Sequence, residues 1–186
     1  MQFLRPRYLS EPPAWFYSRI LVGAGEMLTP SFLRKHNITH VINCAFPEHS
    51  PAWFRKVCPT RYACLNALDT VDVNILDWYP AFEETLSAFL RDGEGTVFIH
   101  CQCGINRSAF LALTYVVQKY GLPYDLMLAT LKRNRPCMFT NPVFRKQTKE
   151  FTNGCVQNPQ DEGSGGERIV DGDSGLGSSG SDPIVT

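Results

Sequence analysis

Apolar positions in the first 151 residues follow two periods, one typical of strands and one typical of helices. Short runs rich in β-branched and apolar residues predict strands. These runs are Trp15–Val22, which leads into a turn at Gly23–Gly25, and Ile38–Cys44, Arg61–Leu68 and Thr96–His100. Apolar residues spaced three or four positions apart predict helices. They cover Trp78–Leu90, Ser108–Tyr120 and Tyr124–Arg133.

Start and stop signals predict two further helices. Thr29 is an N-cap residue followed by Pro30 at the first helical position, and Asn37 ends that helix. Asn141 and Pro142 open a last helix that runs through Phe151. Because strands alternate with helices, we expect an α/β fold with a central, mostly parallel sheet flanked by helices.

Composition divides the chain near residue 151. Residues 152–186 contain eight of the 14 glycines, five serines and no aromatic residue, so they cannot form a core. They hold six acidic residues and one arginine, a net charge of −5. Of the balanced total of 18 basic and 18 acidic residues, this leaves 17 and 12, a net charge of +5, for the rest. We expect an N-terminal segment at 1–14, a folded domain at 15–151 and a disordered acidic tail at 152–186.

Several classes of protein are excluded by these figures. The balanced charge argues against a strongly cationic nucleic-acid binder. The longest apolar run, Ala109–Val117, is far shorter than the ~18 to 20 residues of a membrane-spanning helix, and Met1–Arg7 lacks the pattern of a secretory signal. Seven irregularly spaced cysteines fit neither a disulfide framework nor a zinc site. We therefore expect a cytoplasmic protein, with access to the nucleus left open, that needs no metal or other cofactor.

The candidate chemistry lies where a predicted strand ends. Residues 97–108 read Val-Phe-Ile-His-Cys-Gln-Cys-Gly-Ile-Asn-Arg-Ser and run from an apolar strand through a short loop into a helix. Ligands bind at the carboxyl ends of strands in α/β sheets, and N–H groups at a helix N-terminus attract anions. Gly104 permits the backbone geometry of such a loop, and Arg107 can hold a phosphate as a bidentate fork. Because this positive field also stabilises a thiolate at Cys101, a nucleophile and an anion site coincide.

This stretch resembles the His-Cys-x5-Arg-Ser/Thr signature of the cysteine-based protein phosphatases, in the manner of the small dual-specificity enzymes. Here it reads His100-Cys101, five residues, then Arg107-Ser108. The resemblance covers most of residues 15–151 and implies a dual-specificity phosphatase-like fold with Cys101 as nucleophile, Ser108 assisting departure of the thiolate and His100 supporting the loop. It also implies that the phosphate binds to Gln102, Cys103, Gly104, Ile105, Asn106 and Arg107.

The same family uses an aspartate some thirty residues upstream as general acid. Asp69 precedes Cys101 by 32 positions, in an Asp-Thr-Val-Asp-Val-Asn stretch that resembles that of small dual-specificity phosphatases. Asp72 is the rival, and we favour Asp69 because Asp72 is as easily a solvated or helix-capping charge. Asn141 and Phe144 match the family's last helix, in which the asparagine supports the catalytic loop. A role for Asn141 as a simple N-cap stays open.

The resemblance implies hydrolysis of phosphotyrosine and phosphoserine or phosphothreonine in proteins, through a cysteinyl-phosphate intermediate and without a metal. The chain lacks the long insertion that deep-pocket, tyrosine-only phosphatases carry before the loop, which favours a shallow pocket. Uncharged Gln102 and Cys103 argue against a polyphosphoinositide substrate. Lys132, Arg133 and Arg135 are candidates for a patch that binds acidic substrates, or else form a solvated helix face.

Two alternatives stay open. The Gly104–Arg107 stretch also resembles RNA 5′-triphosphatases with the same loop, although these generally lack the aspartate that Asp69 supplies. A non-catalytic pseudophosphatase that binds phosphorylated partners is the other, and intact Cys101, Arg107 and Asp69 weigh against it. The expected partner is a phosphoprotein rather than a membrane or nucleic acid, and the sequence does not distinguish a monomer from a homodimer. Cys44 is either a buried structural residue or, as in some relatives, the disulfide partner of the nucleophile.

Overall fold

A five-stranded sheet lies at the centre of the computed structural model, which describes residues 7–156. Its strands are β1 (Ala14–Tyr17), β2 (Ile20–Ala24), β3 (Ile38–Asn43), β4 (Tyr62–Cys64) and β5 (Thr96–Cys101). The helices are α1 (Arg7–Ser10), α2 (Pro30–His36), α3 (Ala52–Val57), α4 (Tyr79–Arg91), α5 (Arg107–Tyr120), α6 (Tyr124–Asn134) and α7 (Pro142–Val156). Short 3-10 turns occur at Gly25–Met27, Pro47–His49, Pro59–Arg61 and Ile75–Trp78.

The central strand β5 determines where a site can form. In the strand order β1-β2-β5-β3-β4, β5 pairs in parallel with β2 and β3, whereas β1 is an antiparallel edge strand. Ala24 of β2 lies opposite Cys101 of β5, and Asn43 of β3 lies opposite His100. Three parallel strands therefore end side by side, which confirms the expected α/β fold with a mostly parallel sheet.

Helices cover both faces of the sheet, because every residue of β5 is buried and needs apolar neighbours on each side. Val97 and Ile99 belong to the larger cluster, which includes side chains from α4, α5, α6 and α7. Phe98 points to the opposite face and belongs to the smaller cluster with Leu21 and Val41, against side chains from α2 and α3. The alternation along β5 thus joins the two halves of the core.

The prediction of one continuous strand at Trp15–Val22 was wrong. The chain forms β1 and β2 as a hairpin around Ser18 and Arg19, and the expected turn residues Gly23 and Ala24 lie inside β2. The Arg19 guanidinium donates hydrogen bonds to the carbonyls of Leu90, Gly93 and Gly95. These acceptors, more than seventy residues away, hold the hairpin turn in place.

The strand expected at Arg61–Leu68 is shorter than predicted and consists of β4 alone. After β4 the N–H groups of Leu65, Asn66 and Ala67 donate to carbonyls at the end of β3 and just beyond it, and Asn66 adopts a left-handed conformation with φ 55°. The chain therefore leaves the sheet early and forms an irregular segment, residues 65–74, that carries Asp69 across the end of the sheet.

Helix ends largely follow the expected signals. The hydroxyl of Thr29 accepts a hydrogen bond from the N–H of Phe32, and Asn37 ends α2 in a left-handed conformation. The last helix continues to Val156, beyond the predicted end at Phe151, and buried Thr152 bonds to the carbonyl of Thr148. The remaining part of the predicted tail, 157–186, and residues 1–6 lie outside the described residues. Within 7–156, no helix is long and apolar enough to cross a membrane.

Phe110 tests the packing of the larger cluster. It is fully buried on α5, with its ring centroid 5.1 Å from that of Phe139 and 6.0 Å from that of Phe144. Because Phe110→Ala leaves a cavity, we expect it to lower the free energy of unfolding by about 3–5 kcal/mol, measured by chemical denaturation. Leu126→Ala removes an exposed side chain on α6 and should change it by no more than about 0.5 kcal/mol. Equal effects of the two variants would contradict this assignment.

Candidate active site

The loop that joins β5 to α5 is held from outside through its own backbone. Each carbonyl oxygen from Cys101 to Ile105 accepts a hydrogen bond, that of Cys101 from the neighbouring His100 and the other four from distant parts of the chain. The donors are His100 Nδ1 to Cys101 (3.1 Å), the N–H of Gly25 to Gln102 (3.3 Å), the guanidinium of Arg135 to Cys103 (3.1 Å) and Gly104 (3.4 Å), and the N–H of Phe139 to Ile105 (2.9 Å).

The planarity of the peptide bond turns these contacts into an anion site. In a trans peptide the N–H points away from the carbonyl of the same unit. When the carbonyls of 101–105 face outwards, the N–H groups of residues 102–106 face the concave side of the loop. The positive end of the α5 dipole, at Arg107, lies beside them. We call this concave arrangement of N–H groups the cradle.

Gly104 is required where the loop meets β2. Its φ of +65° lies in the left-handed region, and a Cβ atom there would lie 2.2 Å from the carbonyl carbon and oxygen of Gly23. Both observations exclude a side chain at this position. The loop therefore rests directly on the backbone of β2.

His100 is buried beneath the loop in a fixed tautomer. Its Nδ1 faces the carbonyl oxygen of Cys101, which can only accept, so Nδ1 carries the proton. Its Nε2, 2.8 Å from the hydroxyl of Ser50, must then accept a hydrogen bond from that group. Burial lowers the pKa of His100 to about 4, so the imidazole is neutral at physiological pH.

Cys101 begins the loop with its side chain almost fully buried. The hydroxyl of Ser108, in the first turn of α5, donates a hydrogen bond to its sulfur at 3.4 Å. Such a bond stabilises negative charge on the sulfur. Cys44 is buried near it, and burial, followed by the proximity of Cys101, raises the pKa of the Cys44 thiol. The six described cysteines, at positions 44, 58, 64, 101, 103 and 137, are free thiols.

Arg107 presents an unsatisfied donor beside the cradle. Its Nη1 donates to the carbonyl of Ala67 at 3.1 Å, which fixes the orientation of the guanidinium. Its Nε is buried without a hydrogen-bond partner among residues 7–156 and lies 3.8 Å from Oδ2 of Asp69. Because buried N–H groups in proteins are rarely left unpaired, this one is suited to an oxyanion bound in the cradle.

The structure brings Asp69, rather than Asp72, to this arginine. The carboxylate of Asp69 accepts hydrogen bonds from the amides of Asn141 (3.3 Å) and Asn106 (3.5 Å). Asp72 is solvent-exposed, and a hydrogen bond from the hydroxyl of Thr70 and then one from its own backbone lower its pKa. Residues 65–74 thus place one of the two predicted acids against the loop and leave the other in solvent.

Asn141 has both roles that its sequence position suggests. Its Oδ1 accepts from the N–H groups of Val143 and Phe144, which caps α7. Its amide contacts Asp69, and its backbone N–H donates to Oδ1 of Asn106 at 3.0 Å. The N-terminus of α7 is therefore linked both to the loop and to the predicted acid.

Three contributions to the site were not predicted from the sequence: the hydroxyl of Ser50, the guanidinium of Arg135, and the contacts by which the side chain of Asn106, itself a predicted loop residue, links the loop to Asp69 and to the start of α7. The expectation that Arg135 is available for a surface patch was wrong, because this side chain is completely buried. Its basic neighbours Lys132 and Arg133 suggested a solvated helix end, and no local pattern marks a buried arginine. Within residues 7–156, no group of three or more His, Cys, Asp or Glu side chains is arranged to hold a metal ion.

Comparison with known proteins identifies the same family as the sequence signature. Residues 20–154 match the family described as "Dual specificity phosphatase, catalytic domain". The mouse "Dual specificity protein phosphatase 19" is 30% identical over 131 residues, which cover 70% of this chain and 57% of that protein. The mouse "Serine/threonine/tyrosine-interacting protein" is 32% identical over 124 residues, covering 64% and 53%. The matched regions thus span little more than half the length of these relatives.

The fold is shared with solved structures. The crystal structure of human DUSP28 has a TM-score of 0.66 and 18% identity, and the match covers 78% of this chain and 95% of that one. At this identity the likeness concerns the fold alone. The family match, by contrast, spans β2 to α7 and includes the whole loop from Cys101 to Arg107. The resemblance read from the signature is thereby confirmed, and the chain belongs to the dual specificity phosphatase catalytic-domain family of the cysteine-based phosphatases.

Proposed function

We propose that the chain is a protein phosphatase that hydrolyses phosphotyrosine and phosphoserine or phosphothreonine through a cysteinyl-phosphate intermediate. The observation that carries the proposal is the meeting of three groups at one loop: the thiol of Cys101, the unpaired Nε of Arg107 and the carboxylate of Asp69. They supply a nucleophile, a phosphate clamp and a general acid. Membership of the family supports phosphatase chemistry, and the cradle supplies the donors that such chemistry needs.

In the first half of the reaction, the thiolate of Cys101 attacks the phosphorus atom in line. The S–P bond forms as the P–O bond to the alkoxide or phenoxide breaks. Asp69, in its protonated form, transfers its proton to that leaving oxygen. The N–H groups of the cradle and the guanidinium of Arg107 bind the equatorial oxygens and stabilise their charge.

In the second half, water hydrolyses the cysteinyl-phosphate. Asp69, now a carboxylate, takes a proton from the water molecule while the oxygen of that water attacks the phosphorus. The P–S bond breaks, inorganic phosphate leaves and the thiolate of Cys101 is regenerated. The hydroxyl of Ser108, 3.4 Å from the sulfur, stabilises the departing thiolate.

The setting of the site supports substrates with short as well as long side chains. The acid-bearing segment follows β4 directly, and its Leu68 and Val71 are 43% and 71% exposed. The side chain of Asp69 itself is 28% exposed. A phosphate on a short serine or threonine side chain reaches a shallow site as readily as one on tyrosine. Uncharged Gln102 and Cys103 beside the cradle fit a phosphoprotein partner better than a polyphosphoinositide.

A second candidate function follows from one of the relatives. That relative is named as an interacting protein rather than a phosphatase, which favours a phosphate-binding role within this family. Here the nucleophile, the clamp and the acid lie together, which favours turnover. Hydrolysis of para-nitrophenyl phosphate by the full chain separates the two candidates, because a binding module takes up a phosphopeptide without releasing phosphate. Phosphate release from triphosphorylated RNA tests the RNA-end alternative alongside.

Replacing the nucleophile should separate binding from turnover. Cys101→Ser is expected to abolish hydrolysis of para-nitrophenyl phosphate, because a serine hydroxyl is not ionised at neutral pH. It should still bind a phosphotyrosine peptide in calorimetry, because the cradle and Arg107 are unchanged. Cys58→Ser, which changes a free thiol at the end of α3, should keep wild-type turnover. Turnover that survives in Cys101→Ser would refute the mechanism.

Replacing the acid should slow turnover without preventing phosphate binding. Asp69→Ala is expected to lower kcat by roughly 10² to 10⁴, the range for loss of a general acid, with the larger loss on alkyl phosphates whose leaving oxygen is more basic. Asp72→Ala, which changes an exposed carboxylate on the same segment, should stay near wild type. If the two variants exchange these results, the general acid is Asp72.

The neutral state of His100 predicts a pH dependence of stability. With a pKa of about 4 in the folded chain and ~6.5 when unfolded, the imidazole is protonated first in the unfolded state as the pH falls. The neutral imidazole therefore makes its full contribution to the free energy of unfolding above pH ~6.5. Between pH ~6.5 and 4 this contribution falls by about 3 kcal/mol. Urea unfolding at pH 7.5 and pH 4 measures this, with His100→Gln as control. The wild type should lose about 3 kcal/mol more than the variant; equal losses would show that His100 titrates normally.

A further inference from the structure

Arg135 lies between the loop and the N-terminal segment and is bonded to both. On one side its guanidinium donates to the carbonyls of Cys103 (3.1 Å) and Gly104 (3.4 Å). On the other side it donates to the carbonyls of Tyr8 (2.7 Å), Glu11 (2.7 Å) and Pro12 (2.9 Å). The side chain has no exposed surface, so this one buried cation joins the loop to a segment that lies more than 120 residues before Arg135 in the chain.

We propose that Arg135 is a positioning residue of the cradle and that residues 8–12 complete its coordination, so that the N-terminal segment is part of the catalytic unit. The inference rests on the proposed function, because the cradle matters only if it binds a phosphate. Residues 8–12 precede the stretch shared with the family, which covers residues 20–154 and includes Arg135.

The first argument is geometric. Arg135 supplies two of the five outward contacts of the loop, those to the carbonyls of Cys103 and Gly104. Through the planar peptide units, these contacts aim the N–H groups of Gly104 and Ile105 into the cradle. If the guanidinium moves, two adjacent peptide units are free to rotate, and two of the donors that face the phosphate lose their alignment.

The second argument concerns what holds the guanidinium itself. The backbone donors to the loop, the N–H groups of Gly25 and Phe139, are fixed by the chain, whereas Arg135 is a long side chain that loses rotamer entropy when it is held against the loop. The carbonyls of residues 8–12 oppose that freedom, because they bind the side of the planar fork that faces away from the loop. The segment therefore fixes the position from which Arg135 reaches the loop.

The segment has anchors of its own beside the same loop. The carboxylate of Glu11 accepts a hydrogen bond from the N–H of Cys137 at 2.9 Å, two residues beyond Arg135. Burial, followed by the nearby side chains of Cys103 and Glu26, raises the pKa of the Tyr8 phenol, so this ring lies beside the loop. The N-terminal segment is thus tied both to the cradle and to the chain that follows α6.

Lysine cannot replace Arg135 in this role. Its ammonium is a compact cation with three donors, whereas the guanidinium is a planar fork that here spans five acceptors on two sides. Arg135→Lys therefore keeps the buried charge and removes the bridge. The chain also offers a matched control, because Arg19 likewise donates to three backbone carbonyls, at Leu90, Gly93 and Gly95. These lie before β5, at the end of that strand away from the loop.

The test compares tungstate binding by the full-length wild type, Arg135→Lys and Arg19→Lys, using calorimetry, with the thermal unfolding midpoint of each. We expect Arg135→Lys to bind tungstate at least about tenfold more weakly and to lose kcat on para-nitrophenyl phosphate. Arg19→Lys should lower the midpoint and leave both quantities at wild-type values. If Arg135→Lys loses no more affinity than Arg19→Lys at a similar midpoint, the positioning role is refuted. A wild type that fails to bind tungstate would refute the proposed function as well.

The part played by residues 8–12 has a separate readout. Tungstate should slow hydrogen–deuterium exchange of the backbone amides in residues 8–12 of the wild type, and this protection should disappear in Arg135→Lys. Glu11→Ala removes the contact with Cys137 and should weaken tungstate binding several-fold. If Arg135→Lys does not fold, this variant tests the proposal in its place. Exchange that is unchanged by tungstate, together with unchanged binding in Glu11→Ala, would exclude the segment from the catalytic unit.

Discussion

The outward-facing carbonyls of the loop are the constraint on which the rest of the site depends. A row of N–H groups can face one anion only if the carbonyls of the same peptide units are satisfied elsewhere, because an unpaired buried carbonyl is costly. The satisfying groups come from β5, from the end of β2 and from the chain between α6 and α7. The cradle therefore forms only once these distant elements have assembled, so the contacts that complete the fold also align the N–H groups of the cradle.

The side chain of Asn106 extends that constraint to the acid. Its Oδ1 accepts hydrogen bonds from the N–H and hydroxyl of Thr140 and the N–H of Asn141, and its Nδ2 faces Asp69 at 3.5 Å. The side-chain amide of Asn106 thus connects the loop to the start of α7 and to residues 65–74. The position of Asp69 beside the loop is set by hydrogen bonds, although residues 65–74 contain no regular strand or α-helix.

The sequence predicted the features that neighbouring residues form together and missed those that depend on contacts between distant parts of the chain. The signature from His100 to Ser108 could be recognised because one strand, one loop and one helix contain all of it, and Asp69 was predicted from the family resemblance, which implies an aspartate some thirty residues upstream. The turn that contains Arg19, between β1 and β2, and the burial of Arg135 could not be predicted. The carbonyl partners of Arg19 lie more than seventy residues away, and the partners of Arg135 in the N-terminal segment lie more than 120 residues away. Every residue has a backbone carbonyl, so no sequence pattern indicates which carbonyls act as acceptors.

The contact between Gly104 and Gly23 has a consequence for transplanting this loop. Because no side chain separates the two backbones, the height of the loop above the sheet is a peptide-to-peptide distance, independent of the volumes chosen for the surrounding core. A designer who grafts residues 101–107 onto another parallel sheet must keep Gly104 and bring it against the backbone of the neighbouring strand, because a Cβ atom at Gly104 would meet the backbone of Gly23 and Ala24. In a lineage, no side chain can replace Gly104 while the loop stays at this distance from β2.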